Sequence, residues 1–189
     1  VLSGAKIRSY DFQAFSQGPG VGGHWCPLSP NCLSLNARVN GFHTSMLECR
    51  RINNDKMPEY CVDRAAKLLN RRAKKAMNGS KVLVLGVAYK QDIDDYRESP
   101  ALRVIEELEK EGAVVTYFDP WVKEYKYKGQ VRQSIPALTE QVLKDADLVM
   151  VTTAHTNVDY DMVQKNAALI FDSKNAMKNI QNRDNIEVL

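Results

Sequence analysis

The stretch Lys81-Val-Leu-Val-Leu-Gly-Val-Ala-Tyr89 contains the longest nearly unbroken apolar run of the sequence, from Val82 to Tyr89. The run is rich in valine and leucine and does not alternate with polar residues, so it predicts a strand buried on both faces. Strands of this kind belong to parallel sheets that helices cover on both sides. The run is far too short for a membrane span, which needs roughly 20 apolar residues.

Downstream of this strand, the pattern alternates regularly between helix and strand. Ser99-Pro100 supplies an N-cap and a first-turn proline for a helix that Gly112 ends. Further strands are predicted at 113–118, 148–152 and 169–171, and further helices at 135–144 and 160–166. Short connections between these elements predict an α/β fold, a Rossmann-like parallel sheet with helices on both faces.

The first 78 residues have a different texture. Residues 1–33 are rich in Gly, Pro, Ser and aromatic residues without a sustained period, which predicts a structured loop region. A helical pattern then extends from Leu33 to about Met77. Interruptions of this pattern are expected at Asn40-Gly41 and near Asn53-Asn54, and Pro58 either opens a new helix at its first turn or kinks a continuous one. The sequence therefore predicts a loop plus a helical arm ahead of the sheet, with a boundary at Asn78-Gly79.

Composition and charge exclude several functional classes. The 189 residues contain 26 Lys and Arg against 23 Asp and Glu, a net charge of +3, and 44% are hydrophobic. The chain is too apolar for a disordered protein and lacks the basic excess of a dedicated nucleic-acid binder. It has no apolar leader and its four cysteines are irregularly spaced, so we expect a cytoplasmic protein with reduced thiols, no membrane anchor and no metal site. Because the sequence begins with Val1, it can be a piece of a longer chain.

Cationic side chains follow the predicted strands at their carboxyl ends. Ligands bind beyond these ends in open parallel sheets, so Lys90, Arg97 and Lys174 could converge on an anion near the start of the Ser99 helix. The alternative is that they are ordinary loop charges offset by acidic neighbours, namely Asp92, Asp94 and Asp95. Only Gly86 follows the first strand, so the usual GxGxxG dinucleotide fingerprint is absent.

A second informative segment is rich in glycine. Gly18, Gly20, Gly22 and Gly23 lie within six residues and would let the backbone approach a ligand closely. Cys26 follows this loop and is a candidate nucleophile, because nearby amide dipoles lower the pKa of a thiol. The alternative is a flexible turn followed by a small buried cysteine.

Four motifs together resemble one enzyme family. They are the Gly18–His24 loop, Met57-Pro-Glu-Tyr60, the long block Gly86-Val-Ala-Tyr-Lys-Gln-Asp-Ile-Asp-Asp-Tyr-Arg-Glu-Ser-Pro100, and Thr152-Thr-Ala-His-Thr156. In these segments the chain is similar to the carboxyl-terminal part of the nucleotide-sugar (UDP-glucose/GDP-mannose) 6-dehydrogenases. The branch it most resembles acts on UDP-N-acetylhexosamines.

The resemblance implies a four-electron oxidation at C6 of the sugar. Two NAD molecules would accept hydrides while a cysteine thiolate holds the aldehyde as a thiohemiacetal and then as a thioester, which water hydrolyses. Residues 1–78 would hold the active-site loop and the helical segment through which the full-length enzyme forms a homodimer. Residues 79–189 would form the UDP-sugar-binding domain.

The resemblance also assigns roles to individual residues. Gly18, Gly20, Gly22 and Gly23 would pack against the sugar and diphosphate of a UDP-N-acetylhexosamine. Tyr89, Lys90 and Lys174 would hold the nucleotide end. Arg97 would reach the NAD, and Arg8 would contact substrate, across a dimer interface in the full-length form.

Two departures from the family pattern affect catalysis. The branch reads Gly-Gly-His-Cys-hydrophobic-Pro-x-Asp-Pro, whereas this chain reads Gly22-Gly-His-Trp-Cys-Pro-Leu-Ser-Pro30. Trp25 thus holds the position of the nucleophile, and Cys26 comes one residue late. Ser29 stands at the position of the catalytic Asp and cannot act as a carboxylate base.

The resemblance begins inside the family's carboxyl-terminal part, and no counterpart of the amino-terminal NAD-binding domain occurs in the 189 residues. We therefore expect no turnover of NAD by this chain alone. Two alternatives remain open at this point. One is a non-catalytic nucleotide-sugar-binding module or decayed paralogue, and the other is a flavodoxin-like regulatory domain unrelated to sugars.

Overall fold

The computed structural model describes Gly4, Ile7 and residues 17–189. Within residues 17–189 two helices come first, α1 (Trp25–Val39) and α2 (Ser45–Leu68), and a π-helical turn (Leu69–Ala73) continues α2. The elements that follow are β1 (Lys81–Leu85), α3 (Pro100–Lys110), β2 (Val114–Phe118), β3 (Glu124–Tyr127), β4 (Gln130–Gln133), α4 (Glu140–Asp145), β5 (Leu148–Val151), α5 (Tyr160–Asn166), β6 (Ile170–Asp172) and β7 (Ile186–Val188). Across the described ranges, we find no helix with the length and apolarity required to cross a bilayer.

The main sheet has five parallel strands in the order β2-β1-β5-β6-β7. The strand predicted from Val82 onward is β1, at the second position of the sheet, and it is buried except at Lys81. Its side chains alternate between two cores: Val82 and Val84 pack with α2 and α3, whereas Leu83 and Leu85 pack with α4 and α5. The predicted parallel sheet with helices on both faces is therefore confirmed.

Helix α1 corrects one sequence-based prediction. Residues 1–33 were expected to form a loop region, but the helix begins at Trp25. Its prolines do not prevent this, because Pro27 lies in the first turn, where no N–H is needed. Pro30 cannot donate to the carbonyl of Cys26, and the Arg50 guanidinium donates to that oxygen instead, at 3.3 Å.

Helix α2 corrects a second prediction. The break at Asn40-Gly41 is confirmed, but the expected interruption near Asn53-Asn54 is absent. Of the two alternatives at Pro58, the start of a new helix is wrong, because Pro58 lies inside a continuous helix. Pro58 removes only one donor from the helical ladder, and its ring is buried against the domain. Burial of the second half of α2 against the sheet therefore outweighs the missing hydrogen bond.

The hairpin of β3 and β4 and the edge strand β7 were not predicted from the sequence. Their strands are three or four residues long and carry several polar side chains, so they lack an apolar signature. Helix α4 covers Glu140–Asp145 rather than 135–144, because Thr139 caps it by accepting the N–H of Val142. The strand predicted up to Tyr89 ends at Leu85, where Gly86 turns the chain.

Gly86 gives a direct test of this packing. Its φ is +85°, and an added Cβ would lie 2.5 Å from Thr153 Cβ and 2.7 Å from the Thr153 carbonyl oxygen. Gly86→Ala should therefore lower the free energy of unfolding by about 2–4 kcal/mol in urea titrations. Gly79→Ala is the matched control: its φ is +76° with no atom within 4 Å, so only the backbone strain of about 1–2 kcal/mol applies. Equal losses in the two variants would contradict the tight contact.

Candidate functional site

The carboxyl ends of β1, β5 and β6 meet at one edge of the sheet, and hydroxyl groups tie them together. Thr153 Oγ1 donates to the carbonyl of Ala88 at 2.6 Å, which joins the segment after β5 to the segment after β1. Ser173 Oγ donates to the carbonyl of Val151 at 2.6 Å, which joins β6 to β5. We call the carboxyl ends of β1, β5 and β6, with the segments that follow them, the binding edge. These two hydrogen bonds join its three segments within the protein itself.

The glycine loop (Gly18–Gly23) lies across this edge. At one end, an added Cβ on Gly18 would lie 2.8 Å from Lys174 Nζ. At the other end, an added Cβ on Gly23 would lie 3.1 Å from the ring of Tyr89. Between them, a Cβ on Gly22 would lie 2.6 Å from the Glu98 carbonyl oxygen, so only glycine lets the loop approach so closely.

Lys174 is half-buried under the loop. Burial lowers the pKa of its ammonium, an effect that the nearby thiol of Cys61 partly offsets. Burial likewise raises the pKa of the Cys61 thiol to about 12. Within residues 17–189, no carboxylate forms an ion pair with Lys174. A cation held in this way, without a described counter-charge, is suited to an anionic ligand.

Tyr89 and Lys90 follow β1 at the same edge. The backbone N–H of Tyr89 donates to the carbonyl of Asp95 at 3.1 Å, which folds the loop back on itself. Lys90 is exposed, so its ammonium is open to solvent. The structure thus places Lys174 and Tyr89 at the two ends of the glycine loop, and Lys90 is the exposed residue that follows Tyr89.

Arg97 is paired within its own loop. Its Nε and Nη2 donate to the two carboxylate oxygens of Asp95 at 2.9 and 2.8 Å, and these hydrogen bonds hold the pKa of Asp95 at about 2. Arg97 also lines a cleft of about 290 Å³ that borders the glycine loop at Val21 and the hairpin at Lys126. Neither Lys174 nor Tyr89 lines this cleft. Arg8, the remaining residue predicted to contact substrate, lies outside the described residues.

The candidate catalytic residues lie in the first turns of α1. Trp25 is its first residue and is 78% exposed, and Cys26 and Ser29 are exposed as well. Cys26 and Ser29 are three positions apart and are therefore neighbours on the helix surface. The alternative of a small buried cysteine is wrong for Cys26, which is exposed, whereas Cys61 is buried.

A buried His–Asp pair supports the binding edge, and the sequence analysis did not single it out. His155 Nε2 lies 3.1 Å from Asp119 Oδ2, and both side chains are fully buried. The N–H of Asp92 donates to His155 Nδ1 at 3.0 Å, so Nε2 carries the proton and donates to Asp119. The pair thus joins the loops after β1, β2 and β5. The detectable signal was that Asp119 directly follows the predicted strand 113–118 and that His155 comes three residues after the predicted strand 148–152.

The burial of Asp119 in this pair also indicates whether the sheet could bind NAD. In dinucleotide-binding sheets a carboxylate near the end of the second strand accepts the ribose hydroxyls. Asp119 holds that place but is buried, and it accepts hydrogen bonds from the N–H groups of Val87 and Ala88. The residues of this sheet therefore do not fit a dinucleotide site of the usual kind, in agreement with the missing glycine fingerprint.

Comparisons with known proteins agree with this geometry. The profile of the UDP-glucose/GDP-mannose dehydrogenase family, UDP binding domain, matches residues 83–179. A UDP-N-acetyl-D-mannosamine dehydrogenase of Campylobacter jejuni is 33% identical over 73% of this chain and 32% of its own length. The enzyme of that name from Methanocaldococcus jannaschii is 29% identical over 85% of this chain and 35% of its own length. The chain thus spans about a third of the length of these relatives.

Solved structures give the same result. A UDP-D-ManNAc dehydrogenase from Pyrococcus horikoshii superposes with a TM-score of 0.80 at 26% identity, covering 99% of this chain and 42% of that one. An NDP-N-acetyl-D-galactosaminuronic acid dehydrogenase from Methanosarcina mazei superposes with a TM-score of 0.78 at 25% identity, with the same coverage. The chain therefore belongs to the UDP-glucose/GDP-mannose dehydrogenase family and contains that family's UDP binding domain.

Proposed function

We propose that the chain is the carboxyl-terminal portion of an NAD-dependent UDP-N-acetylhexosamine 6-dehydrogenase and that it holds the nucleotide end of the substrate. The observation that carries this proposal is the glycine loop, which crosses the carboxyl edge of the sheet and packs against both Lys174 and Tyr89. The names of the relatives, most of them UDP-N-acetyl-D-mannosamine dehydrogenases, support the substrate class. Residues 79–189 would form the UDP-sugar-binding domain, and residues 1–78 would supply the loop and the dimerisation segment.

Each part of the site has a physical task in substrate binding. The ammonium of Lys174 lies under the loop and would neutralise the diphosphate, and the exposed Lys90 would add a second cation. Gly22 and Gly23 keep the loop backbone close enough to Tyr89 to enclose the ligand. The N-terminus of α3, capped by Ser99, adds a partial positive charge at this edge.

Catalysis would need more than this sheet provides. NAD would accept the hydrides, but the buried Asp119 and the missing fingerprint indicate that residues outside this sheet would have to hold it, with Arg97 at the border. Cys26 is the candidate for the covalent step because its thiol is exposed at the start of α1. Ser29 is exposed nearby but has no carboxylate to move a proton. We therefore expect no dehydrogenase activity from the 189 residues alone.

The helical arm supports a homodimer in the full-length form. Helix α1 has no buried residue among the described ones, and its apolar side chains Trp25, Leu28, Leu33, Leu35 and Val39 are exposed. An exposed apolar patch of this kind marks an interaction surface. We place the enzyme in the cytoplasm, where exposed thiols such as Cys26, Cys32 and Cys49 stay reduced.

A second candidate function is a non-catalytic nucleotide-sugar-binding module. It is favoured by Trp25 and Ser29, which replace the family's nucleophile and carboxylate while the binding edge is intact. Fusion of the chain to the amino-terminal domain of a relative separates the two functions. Two fusions are assayed: one with the parent sequence, and one in which Trp25→Cys and Cys26→Val restore the order of the family motif. A catalytic protein should form NADH with UDP-N-acetylglucosamine in the first fusion or, failing that, in the second. A binding module should remain inactive in both fusions.

Calorimetry on the 189-residue chain tests the shared binding function. UDP-N-acetylglucosamine and UDP should bind with one site per chain, and FMN should not bind, because the cations of the edge suit a diphosphate and FMN carries a single phosphate. Binding of FMN, or no heat with either uridine nucleotide, would refute the proposed function. Thiol labelling at neutral pH adds a second readout, since fast and selective labelling of Cys26 would favour the catalytic function over the binding module.

A further inference from the structure

Asn54 lies inside α2 and faces the middle of the glycine loop. Its Oδ1 accepts a hydrogen bond from the backbone N–H of Val21 at 2.8 Å, and its Nδ2 lies 3.5 Å from the carbonyl oxygen of Val21. One amide side chain thus pairs with both backbone groups of a single loop residue, as a neighbouring strand would do. In the part of the chain that the structure describes, these are the only hydrogen bonds to the backbone of residues 18–23.

The backbone of α2 also makes room for the loop at this point. Pro58 has no N–H, so the carbonyl of Asn54 lacks its usual helical donor. Gly20 lies near that carbonyl: an added Cβ would be 3.6 Å from the Asn54 oxygen and 3.1 Å from Pro100 Cβ. The loop is therefore seated between the middle of α2 and the first residue of α3.

The residue after Asn54 connects the same two helices. Asp55 accepts a hydrogen bond from Arg51 at 3.2 Å within α2 and lies 3.7 Å from Arg103 of α3. Both arginines are about half exposed, so these ion pairs contribute little to stability. Among the described residues, the amide of Asn54 is therefore the polar link between the loop and α2.

We propose that Asn54 is a positioning residue that fixes the glycine loop in the conformation that receives the diphosphate and sugar. It touches neither ligand and acts through the backbone of Val21. Because Asn54 belongs to the helical arm, it couples the arm to the binding edge. The functional part of this inference rests on the proposed function, whereas the tie between Asn54 and Val21 does not.

Three variants of the 189-residue chain test the proposal by calorimetry with UDP-N-acetylglucosamine and with UMP, which lacks the second phosphate and the sugar. Asn54→Ala should weaken UDP-N-acetylglucosamine binding about 10-fold and UMP binding less than about 2-fold. Asn54→Asp should bind UDP-N-acetylglucosamine more tightly than Asn54→Ala but less tightly than the parent chain, because a carboxylate still accepts the Val21 N–H but has no donor for the Val21 carbonyl. Asn53→Ala, an exposed neighbour, is the matched control and should bind both nucleotides as the parent does.

Several outcomes would overturn the proposal. Undiminished binding of UDP-N-acetylglucosamine by Asn54→Ala would do so, as would equal losses for the two nucleotides or failure of Asn54→Asp to bind more tightly than Asn54→Ala. Hydrogen exchange at the Val21 amide keeps the inference distinct from the proposed function. If the parent chain binds neither nucleotide, the proposed function fails, but the exchange rate of the Val21 amide still tests its hydrogen bond to Asn54. Faster exchange in Asn54→Ala but not in Asn54→Asp supports this hydrogen bond, and unchanged exchange in both variants contradicts it.

Discussion

Replacing Lys174 with methionine should weaken UDP binding by about 100-fold, because removal of one partner from a buried charge pair costs about 2–5 kcal/mol. The unliganded chain should be as stable as the parent or more stable. Burial lowers the pKa of Lys174, so its charge is unfavourable in the folded chain, and methionine removes that charge while filling the space. Calorimetry with UDP and thermal unfolding of the free chain measure the two effects.

Lys178→Met is the matched control, since Lys178 is exposed four residues further along and should change neither property. The pH dependence gives a second check. UDP binding requires the charged ammonium of Lys174. Because the pKa of Lys174 is lowered, the affinity for UDP should fall as the pH rises, and the fall should begin below the ordinary lysine value of 10.5. Lys174→Met should lack this alkaline loss. A less stable free chain with unchanged UDP affinity would make Lys174 a structural residue.

Removing the carboxylate of Asp119 should have the largest effect on stability. Asp119→Ala should lower the free energy of unfolding by about 3–5 kcal/mol, as expected when one partner of a buried pair is lost. The carboxylate accepts hydrogen bonds from His155 and from four backbone N–H groups, those of Val87, Ala88, Trp121 and Val122. Denaturant unfolding measures the loss, and Asp161→Ala, in the exposed first turn of α5, should stay within about 0.5 kcal/mol.

The fall of the free energy of unfolding at acid pH should also depend on the Asp119 carboxylate. Burial alone would raise the pKa of Asp119, but the hydrogen bonds from His155, Val122 and Val87 outweigh burial and hold it below its ordinary 3.8. Its contribution is therefore present above pH 3.8 and is lost as the pH falls further through the folded-state pKa. Asp119→Ala should show a flatter dependence below pH 3.8, and an unchanged slope would assign the fall at acid pH to other groups.

The sheet could be predicted because its signals are local. The apolar run beginning at Val82 and the Ser99-Pro100 helix start are complete within a few residues. Helix α1 could not be predicted in the same way, because the carbonyl that Pro30 leaves without a helical donor is paired with Arg50, twenty residues beyond Pro30 along the chain. The position of Pro58 within a continuous helix likewise depends on burial that only the folded chain provides.

The residues of the candidate site likewise differ in whether a local sequence signal could identify them. Lys174 and Tyr89 were predictable, because residues that follow parallel strands share one edge of the sheet. Asn54 was not, since its partner Val21 is 33 residues away and an asparagine inside a helical pattern has no distinguishing signal. Asp119 and His155 were visible as polar residues at strand ends, but their mutual burial follows from the packing of three loops.

The position at which UDP binds is tested most directly by amide chemical-shift mapping of the 189-residue chain during a UDP titration. We predict that the largest saturable shifts fall on Gly18–Gly23, on Tyr89 and Lys90, and on Lys174. Shifts concentrated at the opposite edge of the sheet, or on the β3–β4 hairpin alone, would contradict the account.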